Sequence, residues 1–153
     1  MKKLLFVLII SLTGFSLAQS NIYAGASVGA GGLLSGFALP ITGHVGFEDF
    51  YSRDLDMRLD LRFLLGSNTG FEFGVNGLYN FQVSRDLPLE VYVGGGGRVL
   101  FITDFLILGG GLNVGTDYYL SEQLSLFGEL RLDSYLRGWI TQFGIGAGAK
   151  FHF

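Results

Sequence analysis

Two histidines, thirteen carboxylates and ten lysines and arginines carry whatever chemistry this chain can do, and no cysteine accompanies them. The missing thiols exclude disulfides, thiolate metal sites and cysteine nucleophiles. His44 precedes Glu48 by four residues, which on an extended strand puts both side chains on one face. A histidine beside a carboxylate is half of a general base, but the role also needs a nucleophile in the same geometry, and spacing places no serine beside His44. The pair is therefore expected to be a satisfied histidine rather than a catalytic one. His152 lies at the far end of the chain, again on the polar face of its segment. No His, Asp and Glu cluster has the spacing of a metal site. Catalytic residues, metal and cofactor are all expected to be none. A formal charge of −3 gives no basic footprint, so no nucleic acid partner is expected.

The charges follow a pattern. From 55 to 65, Leu55, Met57, Leu59, Leu61, Phe63 and Leu65 alternate with Asp56, Arg58, Asp60 and Arg62. Successive strand side chains point to opposite sides, so this is a strand with one apolar and one polar face. A second copy stands at 124–133, where Leu124, Leu126, Leu130 and Leu132 oppose Ser125, Glu129, Arg131 and Asp133. Extending the period puts Glu48, Asp56, Asp60, Glu72, Glu90, Asp117, Glu129 and Asp133 on the polar face with Arg58, Arg62, Arg98, Arg131 and Lys150, eight acids against five bases. Enclosed charges left unpaired would be costly, so an ion-pair network is expected. Gly94, Gly96, Gly109, Gly111, Gly115, Gly144, Gly146 and Gly148 share that face and leave room for the long side chains or for water.

The elements that must hold these faces are eight strands, at about 22–30, 39–48, 55–65, 71–81, 89–101, 106–118, 124–133 and 139–153. Turn-forming residues separate them, as at 52–54, 66–70, 84–88 and 135–138. A helical reading of 22–43 has the length to cross a bilayer and a Gly25/Gly29 spacing, but six glycines and Pro40 lie inside it. With 25 glycines and only 15% charged residues, the chain is unlike an ordinary soluble globule. Faces of Leu, Phe, Val and Ile are too bulky to fill an eight-stranded cylinder, whose interior just holds its side chains. The apolar face is therefore expected to look outward to lipid, and the fold to be all-β, an antiparallel up-and-down transmembrane barrel. A closed barrel satisfies every backbone group inside hydrocarbon. An even strand number puts both termini at one end. Aromatic girdles are expected there (Tyr51, Tyr79, Phe81, Tyr118, Tyr119) and at the opposite end (Phe37, Phe71, Phe101, Phe105, Tyr135, Trp139).

Residues 1–18 read as a signal peptide, with Lys2 and Lys3, an apolar centre at 4–12 and the small-x-small site Ser16-Leu17-Ala18, leaving 19–153 as the barrel domain. The last segment alternates Phe143, Ile145, Ala147, Ala149, Phe151 and Phe153. It resembles the C-terminal signal of outer-membrane β-barrel proteins, and the whole chain resembles the small eight-stranded group that includes the outer membrane protein A barrel and the opacity-type surface barrels. That resemblance implies a cell outer-membrane location. It also implies outer-membrane lipids as partners, the secretion and barrel-assembly machinery during biogenesis with Phe143, Ile145, Phe151 and Phe153 as the assembly signal, and a monomer. It departs from the group in having short external connections, at about 31–38, 66–70, 102–105 and 134–138, and no peptidoglycan-binding domain following 153.

The expected role is structural or surface-interacting and not enzymatic. A narrow pore or small-solute channel is the alternative, and a lipid-modifying enzyme using His44 as base the third reading. With acids in excess, Asp60→Asn is expected to cost less than Leu59→Arg.

Overall fold

A computed structural model describes residues 21–33, 36–66, 69–83, 87–102, 105–136 and 140–153, without the side chains of Leu33 and Ile140. The leader at 1–18, Arg85 and Trp139 lie outside the described residues. Eight strands follow one another: β1 (Ile22–Leu33), β2 (Gly36–Ser52), β3 (Leu55–Gly66), β4 (Gly70–Gln82), β5 (Leu89–Ile102), β6 (Phe105–Tyr119), β7 (Leu124–Tyr135) and β8 (Ile140–His152). Each pairs antiparallel with the next, and β8 returns to β1, so the sheet is a closed barrel with no edge. The segment that could have been a membrane helix forms β1 and the first half of β2. Among the described residues no helix is long and apolar enough to cross a membrane.

Alternation decides which side each residue faces. β3 and β7 show it most plainly, with burial switching at nearly every residue. The outside is apolar: Leu61, Phe63, Phe73, Val114, Leu130 and Ile145 are each more than two-fifths exposed. The inside is charged: Arg58, Arg62, Arg98, Asp60 and Glu72 are at most 1% exposed. A water-soluble barrel would show the opposite arrangement, because burying charge and exposing a continuous apolar belt are both unfavourable in water.

The strands run further than the alternation suggested at the end away from the termini. Leu33 pairs with Gly36, so the expected connection at 31–38 shrinks to two residues, and the other far-end connections are similarly short. At the terminal end β2 continues to Ser52 through a bulge. The β2–β3 register shifts between Phe47 and Ser52, and Asp49 takes a left-handed backbone (φ 56°). Asp tolerates that conformation better than most residues, and its amide donates to Asp56 Oδ1 at 3.1 Å.

Interior glycines are placed where a neighbour needs the room. A Cβ on Gly115 would strike the Tyr92 ring, on Gly46 the Tyr23 ring, on Gly109 the Tyr135 ring, and on Gly111 the Asp133 carboxylate. Large side chains from one strand thus lie over the bare backbone of the next.

Candidate functional site

The lumen is the enclosed polar space these elements create, and it is layered along the barrel axis. At the end bearing Asn21 and Phe153, a mouth of about 510 Å³ is lined by the carboxylates of Glu48, Asp49, Asp56, Glu90 and Glu122, with Arg53 and His152. Tyr119 lies there too, and its hydroxyl donates to Glu90 at 2.9 Å.

Just inside, His152 on β8 bridges three strands. Its Nδ1 lies 2.7 Å from Glu48 Oε1 on β2, and its Nε2 lies 3.0 Å from Ser125 Oγ on β7. This corrects the expected pairing: Glu48 belongs to His152, whereas His44 Nε2 has no hydrogen-bond partner and its ring lies edge-on to Phe127 and Tyr23. The Glu48, His152 and Ser125 sequence has the order of an orienter, a base and a nucleophile. Ser125, however, is fully buried, so no substrate carbonyl reaches its hydroxyl. The arrangement is a clasp.

Below it, Lys150 donates to Asp117 at 2.5 Å and sits within 4.9 to 5.1 Å of the ring centres of Tyr23, Tyr92 and Phe127. Sequence pattern gave Lys150 and Asp117 but not the rings, because an inward aromatic looks the same in sequence as an outward one.

The centre is a continuous web. Asp60 accepts from Arg58 Nη2 (3.3 Å), Arg131 Nη2 (3.1 Å) and Asn76 Nδ2 (2.9 Å). Arg58 also pairs with Glu129 at 2.7 Å, to which Tyr92 donates at 2.8 Å. Asn76 accepts from Asn113, which accepts from Arg98. Arg98 continues to Asp133 at 3.2 Å, and Arg62 joins Asp133 at 2.6 Å and Glu72 at 2.5 Å. Tyr135, expected in a lipid-facing girdle, instead turns inward and donates to Glu72, and Tyr119, expected in the girdle at the terminal end, likewise faces the lumen mouth. Among the other girdle aromatics, Tyr51, Tyr79, Phe81, Tyr118, Phe37, Phe71 and Phe105 are exposed on the outside. Asn76 and Asn113 were missed by a census of charges, though each stands alone as a polar residue among apolar neighbours at an inward position.

Beyond the web lies an apolar patch. Leu64, Leu100, Ile107 and Tyr135 form a buried cluster with Ile102 packed against it. Beside the web, a space of about 20 Å³ is bordered by Gly29, Pro40, Arg62 and Arg131. That is room for roughly one water. No group of three or more His, Asp or Glu side chains among the described residues is placed to hold a metal.

Comparison with protein-family models and with curated protein sequences found no match. Solved structures do match. The N-terminal β-barrel domain of Pseudomonas aeruginosa OprF superposes with a TM-score of 0.70 at 18% identity, over 88% of this chain and 100% of that one. This is the fold of the small eight-stranded outer-membrane barrels. Neisserial surface protein A gives 0.68 at 15% identity, over 88% and 97% of the two chains. The outer membrane protein OprG from Pseudomonas aeruginosa gives 0.63 at 9% identity, over 89% and 96%. At these identities the likeness is one of architecture, and the small-barrel fold accommodates very different sequences on its two faces.

Proposed function

We propose that this chain is a structural or surface-interaction barrel of a bacterial outer membrane, with a sealed lumen and no enzymatic chemistry. On this reading residues 1–18 direct export and are removed. The barrel-assembly machinery then reads the outward row Phe143, Ile145, Phe151 and Phe153 of β8. The finished barrel is a monomer surrounded by lipid, and it uses no cofactor. Its far-end hairpins are too short to make a large adhesive surface, so any partner on that side contacts a small rim.

The observation that carries the sealed-lumen reading is the filling of the interior. From Asp60 to Glu72 and Asp133 the web leaves its charged side chains at most 8% exposed, and Leu64 and Leu100 behind it are fully buried. The acidic mouth thus leads to a closed floor. Supporting the membrane reading is the exposed apolar belt, with the fold shared by outer-membrane barrels.

Planar-bilayer recording with the refolded barrel tests this. The expected result is an electrically silent membrane at every tested voltage. Discrete, reproducible openings would instead establish the narrow-pore reading, and would require the central web to break and re-form.

A further inference from the structure

The outer wall is not uniformly bulky. β1 turns Ala24, Ala26, Val28, Ala30 and Gly32 outward, and β8 beside it turns out Ala147 and Ala149. Most other strands present Leu, Phe and Val at the matching positions. In this face lies an apolar groove of about 530 Å³. Its floor is one row of cross-strand partners, Val28, Ala147, Gly128, Thr116 and Val91, on β1, β8, β7, β6 and β5 in turn. Ile145, Leu130 and Val114, one row further from the terminal end, form its wall.

The row climbs. Val91 is two residues from the terminal-end limit of β5, Thr116 three from that of β6, Gly128 four from that of β7, Ala147 five from that of β8 and Val28 six from that of β1. Four residues of climb are about 13 Å along the strands, or about 10 Å along the membrane normal at a strand tilt of ~40°. One leaflet contributes ~15 Å of hydrocarbon. The groove therefore starts near the rim and ends near mid-bilayer, the path of a lipid chain.

We propose that the groove seats a single acyl chain of a phospholipid in the leaflet at the terminal end of the barrel. The inference rests on the membrane reading above. The groove is continuous with the surface that faces hydrocarbon, so acyl chains are the molecules already against it. A floor of Gly128 and Ala147 beneath a wall of Leu130 and Ile145 gives a chain contacts on two sides, where the convex remainder of the barrel gives contacts on one. Thr116 places one hydroxyl near the rim end, a donor for an ester carbonyl of the same lipid. A second barrel fits less well: its convex Leu and Phe ridges would meet the groove's walls before its floor, and in lipid there is no hydrophobic drive to bring two such surfaces together.

The test fills the groove without disturbing the wall. A Cβ on Gly128 meets open space, and so does one on Gly97, which faces outward on β5 away from the groove. Wild type, Gly128→Leu, Ala147→Leu and the control Gly97→Leu are refolded into vesicles of phosphatidylethanolamine and phosphatidylglycerol. They are then extracted into mild detergent and weighed by native mass spectrometry. The heat-dependent gel shift shows separately that each barrel is folded and inserted, so failure of the membrane reading is told apart from failure of this one. Wild type and Gly97→Leu are expected to retain one phospholipid, and the two groove variants to lose it. Equal retention by all four, or retention by none, overturns the proposal. A wild-type dimer that Gly128→Leu abolishes would assign the groove to a second copy instead.

Discussion

Asp60 shows how local balance outweighs the overall charge count. Its carboxylate serves Arg58, Arg131 and Asn76 and is 1% exposed. Counting eight inward acids against five bases made Asp60 look expendable. The surplus, however, lies at the mouth, in Glu48, Asp56 and Glu90, whereas the centre sets Asp60, Glu72, Glu129 and Asp133 against Arg58, Arg62, Arg98 and Arg131. Removing one charge of a buried set strands its partners at a cost of ~3–5 kcal/mol. Asp60→Asn is therefore expected to lose that much, at least matching the ~2–4 kcal/mol of a basic residue placed on the lipid face by Leu59→Arg. This reverses the order expected from sequence. Urea titration of the refolded barrels decides it, and a barely shifted midpoint for Asp60→Asn would mean that the web does not hold its charges as drawn. A second contrast at this scale separates the faces by size: Gly115→Leu drives a side chain into Tyr92 and the Gly128 carbonyl. Overpacking of that kind costs ~1–3 kcal/mol, while Gly128→Leu, with open space around it, is expected to refold with an unchanged midpoint.

At the scale of elements, β8 is the strand that closes the ring, and the clasp secures its end. His152 N donates to Gln123 O, Phe153 N to Ile22 O and Glu48 N to Asn21 O, each at 2.9 Å, all around the His152 side chain. Ser125→Ala leaves a buried imidazole nitrogen unmatched and Glu48→Gln a partly buried carboxamide poorly matched, worth up to ~1–3 kcal/mol. Hydrogen exchange is the discriminating measurement: these three amides are expected to lose protection in either variant while mid-strand amides of β3 and β7 keep theirs. Uniform loss throughout would show the clasp to be part of the global fold rather than a local fastening. The strands themselves were legible because alternation of Leu with Asp or Arg in β3 and β7 leaves little choice of face. The clasp was not, because Ser125, His152 and Glu48 come from three strands and only the register across β1 brings them together. The β2 bulge at Asp49 and the inward turn of Tyr135 were hidden for a related reason: parity is carried by polarity, and aromatic residues and bulges do not announce theirs.

For the whole molecule, closure is the property that matters, and among the described residues the ring thins in mid-strand beside Pro40. A barrel without an edge gives unfolding nowhere to begin, so an unheated sample in detergent is expected to migrate apart from a boiled one, with β-type circular dichroism. No shift, together with a helical spectrum, would return the chain to the helical reading of residues 22–43. The β1–β2 ladder pairs Val28 with Ile41 and resumes at Gly31 with Ala38, lapsing between them beside Pro40. Proline lacks the N–H a ladder needs and is ordinarily confined to edges and bulges, and here it sits inside a ring that has no edge. The small space bordered by Gly29 and Pro40 lies at the same spot. Pro40→Val supplies the missing donor with a side chain of similar bulk and high strand preference, facing inward where Pro40 is already buried. One hydrogen bond is worth ~0.5–1.5 kcal/mol, so the temperature at which the compact band converts to the unfolded one is expected to rise. A lowered conversion temperature would mean that the lapse relieves strain in the closed ring, and that Pro40 is fitted to it rather than tolerated by it.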